Sequence, residues 1–490
     1  MKIEKKLDLT ILTVIGIVVI FIVGYFISIK GVVTGDEFIN ISRTLKGYVP
    51  ANIIDYSLRP FFRILNMMWV ELFGSNMDAL IYGNSILFII MLSTFMLYFY
   101  KLTQSISLVI LAISVLLISP ELIRIGLNAL PQMPAGLFSL LAVILMMEKV
   151  KALTENRSNT YALSLAMYTF SILAFYSHPA QIAILFLVVL IDFLVTLLSY
   201  INYRQIFKVY RNSLIINVFY LIVVIVSVEI LYLSYGNGLQ KYSPALSISD
   251  PYSHLLIYYN SIFNDPSNPK MYHHPWGFYF DYLFSKHSLF TVTFFALMML
   301  VVRRIYKCIL TRGYCNDKLY LTIPMLFGTA FLLIISLKAY KASYTVTQIA
   351  PIMSLAIISS IVYLSLRVRL FIAILFFMVS IINIYIYIEN SYRHPTSYAY
   401  DFVKKSNFTT MAQIKNDNHK YRRQCNFIVK SLDLKRVYIE NLSDNLIGRN
   451  TAVCVPSNKN STNSKYRKDI IKRFNLSRLA DGHSIEIYGK

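Results

Sequence analysis

"ILTVIGIVVIFIVGYFISIKGVVTGDEF", residues 11–38, starts as an apolar run and ends on two adjacent carboxylates, Asp36 and Glu37. A hydrocarbon core about 30 Å thick is crossed by a helix of about 20 apolar residues, which this run supplies. The charged leader "MKIEKKLDLT" followed by an apolar stretch has the outline of a signal peptide. The stretch is too long for the h-region of such a peptide, however, and no small-x-small cleavage pattern follows it. It is expected to stay in the chain as a first span, with the acidic pair just beyond it.

The same signal recurs along the first four-fifths of the chain. Of 490 residues, 56% are hydrophobic and 15% charged, with a mean hydropathy of +0.55. Soluble proteins carry about 25% charged residues, so this composition describes a polytopic membrane protein. Spans are expected near 9–29, 79–100, 104–119, 127–148, 160–177, 180–200, 214–235, 288–302, 319–337, 345–366 and 369–388, about eleven helices by hydropathy. Most of them are free of charge, Glu229 in the seventh being the main exception.

A net charge of +22 raises the question of nucleic acid. The basic residues lie between apolar segments and in the tail, with no basic motif on a folded reader domain, so no nucleic-acid partner is expected. They instead orient helices and meet anionic lipid. Lys2, Lys5 and Lys6, then Lys149, Lys151 and Arg157, then Arg204, Lys208 and Arg211, then Arg303, Arg304, Lys307, Arg312 and Lys318, and last Arg367 and Arg369 all fall on one side if the spans alternate. By the positive-inside rule that side is the cytoplasm. The first loop (30–78), the loop at 236–287 and the tail (389–490) then lie outside, in a bacterial inner membrane facing the periplasm. The expected organisation is a multi-span domain over 1–388 and a soluble periplasmic α/β domain over 389–490.

In the tail, "TTMAQIKNDNHKYRRQCNFIVKSL" has a helical pattern, whereas "KRVYIENL", "TAVCVP" and "SIEIYGK" read as short strands. Cys425 and Cys454 both fall there, on the oxidising side, and are candidates for a disulfide. No internal repeat, Walker sequence or strand-preceded GxGxxG is present, which argues against an ATP-driven pump.

Two readings of the acidic pair stand together. Thr34-x-x-Glu37 matches a capping box, and Phe38, Ile41 and Leu45 give the following segment an apolar side suited to the membrane interface. Asp36, Asn40 and Arg43 share the polar face at i, i+4 and i+7. A partly desolvated carboxylate there has the character of a general base.

A first span followed by an outer helix that opens on an acidic pair resembles the GT-C superfamily of membrane glycosyltransferases. That superfamily includes protein O-mannosyltransferases, the aminoarabinose transferases of lipid A and bacterial O-antigen-modifying glucosyltransferases, and the last are the most similar in layout. The resemblance implies an acidic catalytic base, here Asp36 or Glu37, and a sugar donor carried on polyprenyl phosphate. "SPELIRIGLNALPQMPAGLFSLLA" (119–142) resembles the second outer loop of the family, with Glu121 and Arg124 matching in type. Arg124 is thereby a candidate for donor-phosphate binding, against a plainer reading as an interfacial arginine. "LKAYKASYTVTQIAP" (337–351) resembles a pattern in which Arg-Tyr precedes a proline. Tyr344 and Pro351 keep the spacing, Ser343 replaces the arginine, and Lys338 or Lys341 supplies the charge instead. "MYHHPWGFYFDYLF" (271–284) resembles the large outer loop, making His274, Trp276 and Tyr279 candidates for sugar or acceptor contact, with Asn40, Arg43 and His178. For the aromatics the plainer reading is an interface belt, and for His178 a structural hydrogen bond.

The expectation is an all-α, GT-C-like polytopic membrane protein with a small C-terminal α/β domain. It would transfer a hexose, glucose by the resemblance, to a cell-surface glycan such as O-antigen, with inversion at the periplasmic face. No cofactor or divalent metal is expected. Its partners would be membrane lipid, the polyprenyl-phosphate-linked donor and the glycan acceptor, served by a flippase and a donor-synthesising glycosyltransferase. The rival reading is a transporter or flippase for a polysaccharide precursor. Transporters place ionisable groups at the membrane midplane, whereas polar groups here gather in the outer loops.

Overall fold

The computed structural model describes residues 16–18, 24, 59–74, 78–118, 130–157, 160–202, 204–235, 274–310, 316–337 and 345–392, and in the tail 402, 403, 405, 406, 408–413, 425, 428, 429, 434–438, 450–456, 471, 472, 477–481 and 485–489. The expected first span falls outside this set except for four helical residues, 16–18 and 24.

Twelve helices are used below: α1 (Pro60–Phe73), α2 (Asp78–Thr103), α3 (Ile106–Leu117), α4 (Gln132–Thr154), α5 (Tyr161–Ser177), α6 (Ile182–Asn202), α7 (Arg204–Tyr235), α8 (Phe278–Lys286), α9 (Ser288–Leu310), α10 (Ile323–Ser336), α11 (Val346–Ile361) and α12 (Leu366–Tyr392). Short 3-10 turns at Pro179–Gln181 and Asn316–Thr322 lead into α6 and α10. Among the described residues seven helices have the length and apolarity to cross a membrane, and α3, α5 and α11 are shorter apolar helices. Together they account for each expected span after the first. The eighth, short by hydropathy, extends to Leu310. The third does not extend: at 1.5 Å per residue, α3 is about 18 Å long, too short to span alone.

Sequence explains which helices are central. Helix α4 is apolar on every side and almost wholly enclosed by its neighbours. Helix α11 offers Ala350, Ala356, Ser354, Ser359 and Ser360 as small buried residues, which lets adjacent backbones approach closely. Helices α7 and α12 leave large apolar side chains such as Phe219 and Phe371 on the outside, where lipid is the natural solvent. Ser380 of α12 donates to the Ser114 carbonyl of α3 at 2.6 Å, holding the short helix in the bundle.

The tail forms a five-stranded sheet of order β2-β1-β3-β5-β4, from β1 (Thr410–Gln413), β2 (Lys435–Tyr438), β3 (Thr451–Pro456), β4 (Ser477–Asp481) and β5 (Ile485–Gly489). Strand β1 runs parallel to both β2 and β3, with Thr410 opposite Lys435 and Thr451. Strand β5 is antiparallel to β3 and to β4, with a register shift at Arg478/Ala480. Strands are present within the expected stretches 435–442, 451–456 and 484–490, as β2, β3 and β5. Residues 410–413, expected as the start of a helix, are instead an inner strand. Met411 and Ala412 are buried between two parallel neighbours, and that pairing outweighs the local helical pattern. Cys425 is disulfide-bonded to Cys454 of β3.

The hydrophobic core of the sheet includes Ala79, Leu80 and Ile81 at the start of α2, with Val70 and Phe73 of α1 packed against it. The sheet therefore sits over the end of the bundle where α2, α4, α6, α9 and α11 begin. The basic connections after α4, between α6 and α7, after α9 and before α12 lie at the opposite end, as the alternation of spans requires.

Candidate functional site

At the sheet-side end, α1 lies across α2, α4 and α5. Pro60 at the first helical turn sets its direction at no cost in hydrogen bonds. The helix turns Ile64, Met68 and Leu72, spaced one turn apart, to the outside, and buries Arg63, Asn66 and Trp69. An apolar outer stripe suits a helix embedded in the membrane interface. Gly83 of α2 makes the approach possible, since a Cβ there would overlap the Trp69 indole. Phe61 packs edge-on against Phe138 of α4, with ring centroids 5.4 Å apart.

At the same end a hydrogen-bonded line joins α4, the turn at Pro179–Gln181 and α11. Ser139 of α4 donates to Gln181 Oε1 at 2.8 Å, and Gln181 Nε2 donates to Gln348 Oε1 of α11 at 3.0 Å. A Cβ on Gly136 would lie 3.9 Å from Gln348 Cα, so the first turns of α4 and α11 are in contact. Asn84 of α2 donates to the Leu130 carbonyl at 3.0 Å and fixes the chain where it enters α4. Neither α4 nor α11 has a side-chain cap or an acid in its first turn. Two adjacent positive helix ends in a low-dielectric setting favour an anion. Gln348 Nε2, fully buried, has no hydrogen-bond partner among the described residues, and nor does Gln132 Oε1.

A second polar cluster sits deeper, toward the basic end. Lys149 Nζ of α4 meets Asp192 Oδ1 of α6 at 2.5 Å, and both side chains are fully buried. Tyr168 donates to Asp192 Oδ2 at 3.2 Å, and Tyr210 donates to the Lys149 carbonyl at 3.3 Å. Asp192 is thus an acid inside the sixth span, in addition to Glu229 in the seventh. Further toward this end, Arg304 lies 3.8 Å over the Tyr363 ring.

Of the residues expected at the site, Asp36, Glu37, Asn40, Arg43, Arg124, Lys338, Lys341 and Tyr344 lie outside the described residues. His178 is described and buried: it ends α5, and its Nδ1 accepts the Ala180 backbone N–H at 3.2 Å. His274 stacks on Phe278 at 4.1 Å, Trp276 is 60% exposed and stacks on Phe280, and Tyr279 is wholly inside the core. Sequence reasoning missed Arg63, Asn66, Trp69, Gln132, Ser139, Gln181 and Gln348. The signal was present in the isolated carboxamides at the sheet-side starts of otherwise apolar helices. A polar group in that position needs a partner in a neighbouring helix or in a ligand.

The arrangement is a bundle whose uncapped helix starts, amide chain and overlying interfacial helix all gather under a small α/β sheet. No protein-family model matches the chain, and no curated protein matches it either. Among solved structures, ArnT from Cupriavidus metallidurans bound to undecaprenyl phosphate is similar at 9% identity, with 98% of this chain and 97% of that chain covered and a TM-score of 0.58. The apo state of the same protein is similar at 10% identity, with 97% of each chain covered and a TM-score of 0.56. The likeness shows the fold. The chain shares the overall architecture of that protein.

Proposed function

We propose that the chain is an integral membrane glycosyltransferase that uses a sugar carried on polyprenyl phosphate. The observation that carries this reading is the likeness, over nearly the whole of both chains, to ArnT solved with undecaprenyl phosphate bound. The uncapped starts of α4 and α11 support it, because they offer positive charge to a phosphate at the sheet-side end. In the chain, Arg124 comes shortly before α4, and Lys338, Lys341 and Tyr344 come shortly before α11.

In the proposed reaction an acceptor hydroxyl gives its proton to Asp36 or Glu37. Its oxygen forms a bond to the anomeric carbon as the bond from that carbon to the phosphate oxygen breaks, with inversion. The electron pair leaves on the phosphate, stabilised by Arg124, Lys338 and Lys341, and no divalent metal is needed. A positioned base contributes about 10²–10⁴-fold. The sugar is a hexose, glucose by resemblance, and the acceptor is a cell-surface glycan such as O-antigen. Asn40, Arg43, His274 and Trp276 are the proposed sugar and acceptor contacts, with His178 and Tyr279, both buried, acting through the turn and the packing they hold. The N-terminus is cytoplasmic, and the sheet faces the periplasm of a bacterial inner membrane, where the Cys425–Cys454 bond persists.

The test is turnover of radiolabelled polyprenyl-phosphate hexose by membranes holding wild type, Asp36→Asn or Glu37→Gln at matched expression. Wild type is expected to consume the donor, and one variant to lose at least about a hundredfold in rate. Wild type behaving like empty membranes across several donors, with acceptor extract present, would sink the reading and send the chain to a transport assay.

A further inference from the structure

Helix α1 is held between two hydrophobic cores. Leu65 and Trp69 belong to the core of the bundle, whereas Val70 packs against the core of the tail sheet and Phe73 packs against both. The Trp69 and Phe73 rings stack with centroids 6.2 Å apart, and Phe73 meets Tyr82 of α2 edge-on at 5.8 Å. Gly74, at a φ of 87°, then ends α1 in a conformation open to glycine and strained for other residues, and α2 starts at Asp78.

The sheet in turn depends on this corner. Successive residues of a strand face opposite sides of its sheet, yet Met411, Ala412 and Gln413 of β1 and all of Thr451 to Val455 of β3 are buried. Both faces at the centre of the sheet are therefore covered, as parallel strands require. Val403, Cys425, Ile428 and Val429 supply part of that cover from the tail itself, with Cys425 tied to β3 by its disulfide. Among the described residues, the part from outside the tail comes from Ala79, Leu80 and Ile81 of α2, with Val70 and Phe73 of α1.

Two turns before Trp69, α1 reaches α4: Phe61 lies on Phe138, which stacks on Phe170 of α5 with centroids 5.9 Å apart. A line of contacts thus runs from the tail core through Phe73 and the length of α1 to the first two turns of α4. We infer that the tail is a clamp that seats α1, and that Phe73 is a positioning residue through which the tail sets the donor site at the start of α4. The inference rests on the glycosyltransferase reading above. With the tail core intact, the α1–α2 corner is packed on two sides, and Phe61 holds the uncapped start of α4 in place. With the tail loosened, Val70, Phe73 and the start of α2 lose one side of their packing, and α1 no longer has a single seat on Phe138. The tail then acts on the donor without touching it.

The experiment uses full-length protein in lipid nanodiscs as wild type, Cys425→Ala with Cys454→Ala, Phe73→Ala, all three substitutions together, and Phe73→Leu. Hydrogen exchange is followed in α1, in the sheet and in α4 around Lys149, and affinity is measured for undecaprenyl phosphate. Removing the disulfide should speed exchange about tenfold in the sheet and in α1, and leave α4 around Lys149 protected. It should also weaken binding of the lipid phosphate about tenfold. Phe73→Ala should weaken binding by the same order while the sheet stays protected, and Phe73→Leu, which keeps an apolar contact, should restore most of it. The triple variant should bind no worse than Phe73→Ala alone, because the tail acts through that ring. Binding unchanged when the sheet loosens, losses that add in the triple variant, or exchange that spreads to α4 around Lys149 would overturn the inference and leave the glycosyltransferase reading standing. Failure of wild type to bind undecaprenyl phosphate overturns that reading and the inference with it.

Discussion

The two ends of the bundle handle buried polarity in opposite ways. Toward the basic end, Lys149, Asp192, Tyr168 and Tyr210 bring together four helices in a cluster in which cation and carboxylate are both satisfied. At the sheet-side end, Ser139, Gln181 and Gln348 are joined in a chain that still leaves an amide donor over. Both clusters are buried. The closed cluster is the signature of a fastener, and the open one that of a surface built for something else.

The comparison breaks most visibly if the fastener is cut. Lys149→Met leaves Asp192 buried and unpaired and should cost about 3–5 kcal/mol, read as a large fall in the thermal midpoint of detergent-solubilised protein. Lys149→Met with Asp192→Leu removes both charges and should recover most of that loss. If the single and double variants melt alike, the pair is not the fastener described. Cutting the amide chain is a smaller insult. Gln181→Leu removes two interhelical hydrogen bonds and should cost about 1–2 kcal/mol in the same melt. It should weaken donor binding beyond that fraction, because Gln348 loses its orientation. A stability loss with donor affinity intact would make the sheet-side chain a second fastener and erase the distinction. The smallest effect is expected at the basic surface, where Arg157 pairs with Glu155 in the exposed turn after α4. Glu155→Gln should change stability by less than about 1 kcal/mol, and less still at high salt, which sets the baseline for charge at that end.

Much of the membrane region was legible in the sequence. A span in lipid must satisfy its own backbone, so length and hydropathy identify it without reference to its neighbours. That is why the expected spans after the first coincide with helices, and why the basic loops collect at one end. The site was less legible. Gln348 sits in "VTQIAPIM" and Asn66 in "RILNMMW", and nothing in either stretch says which helices will surround it. Trp69 reads as one more aromatic until Gly83 is seen to receive it. In the tail, "TMAQ" has a pattern that a helix or a strand accepts equally, and strand pairing settled it.

The sequence by itself determined that this is a multi-span membrane protein, where its spans run and which of their ends carry the basic charge. Those properties depend on each segment's own exchange with lipid and water. Only the tertiary structure decided which polar side chains close on each other and which stay open, because a hydrogen bond between helices depends on where two distant segments meet. Gln181 and Gln348 are 167 residues apart in the chain and 3.0 Å apart in the fold.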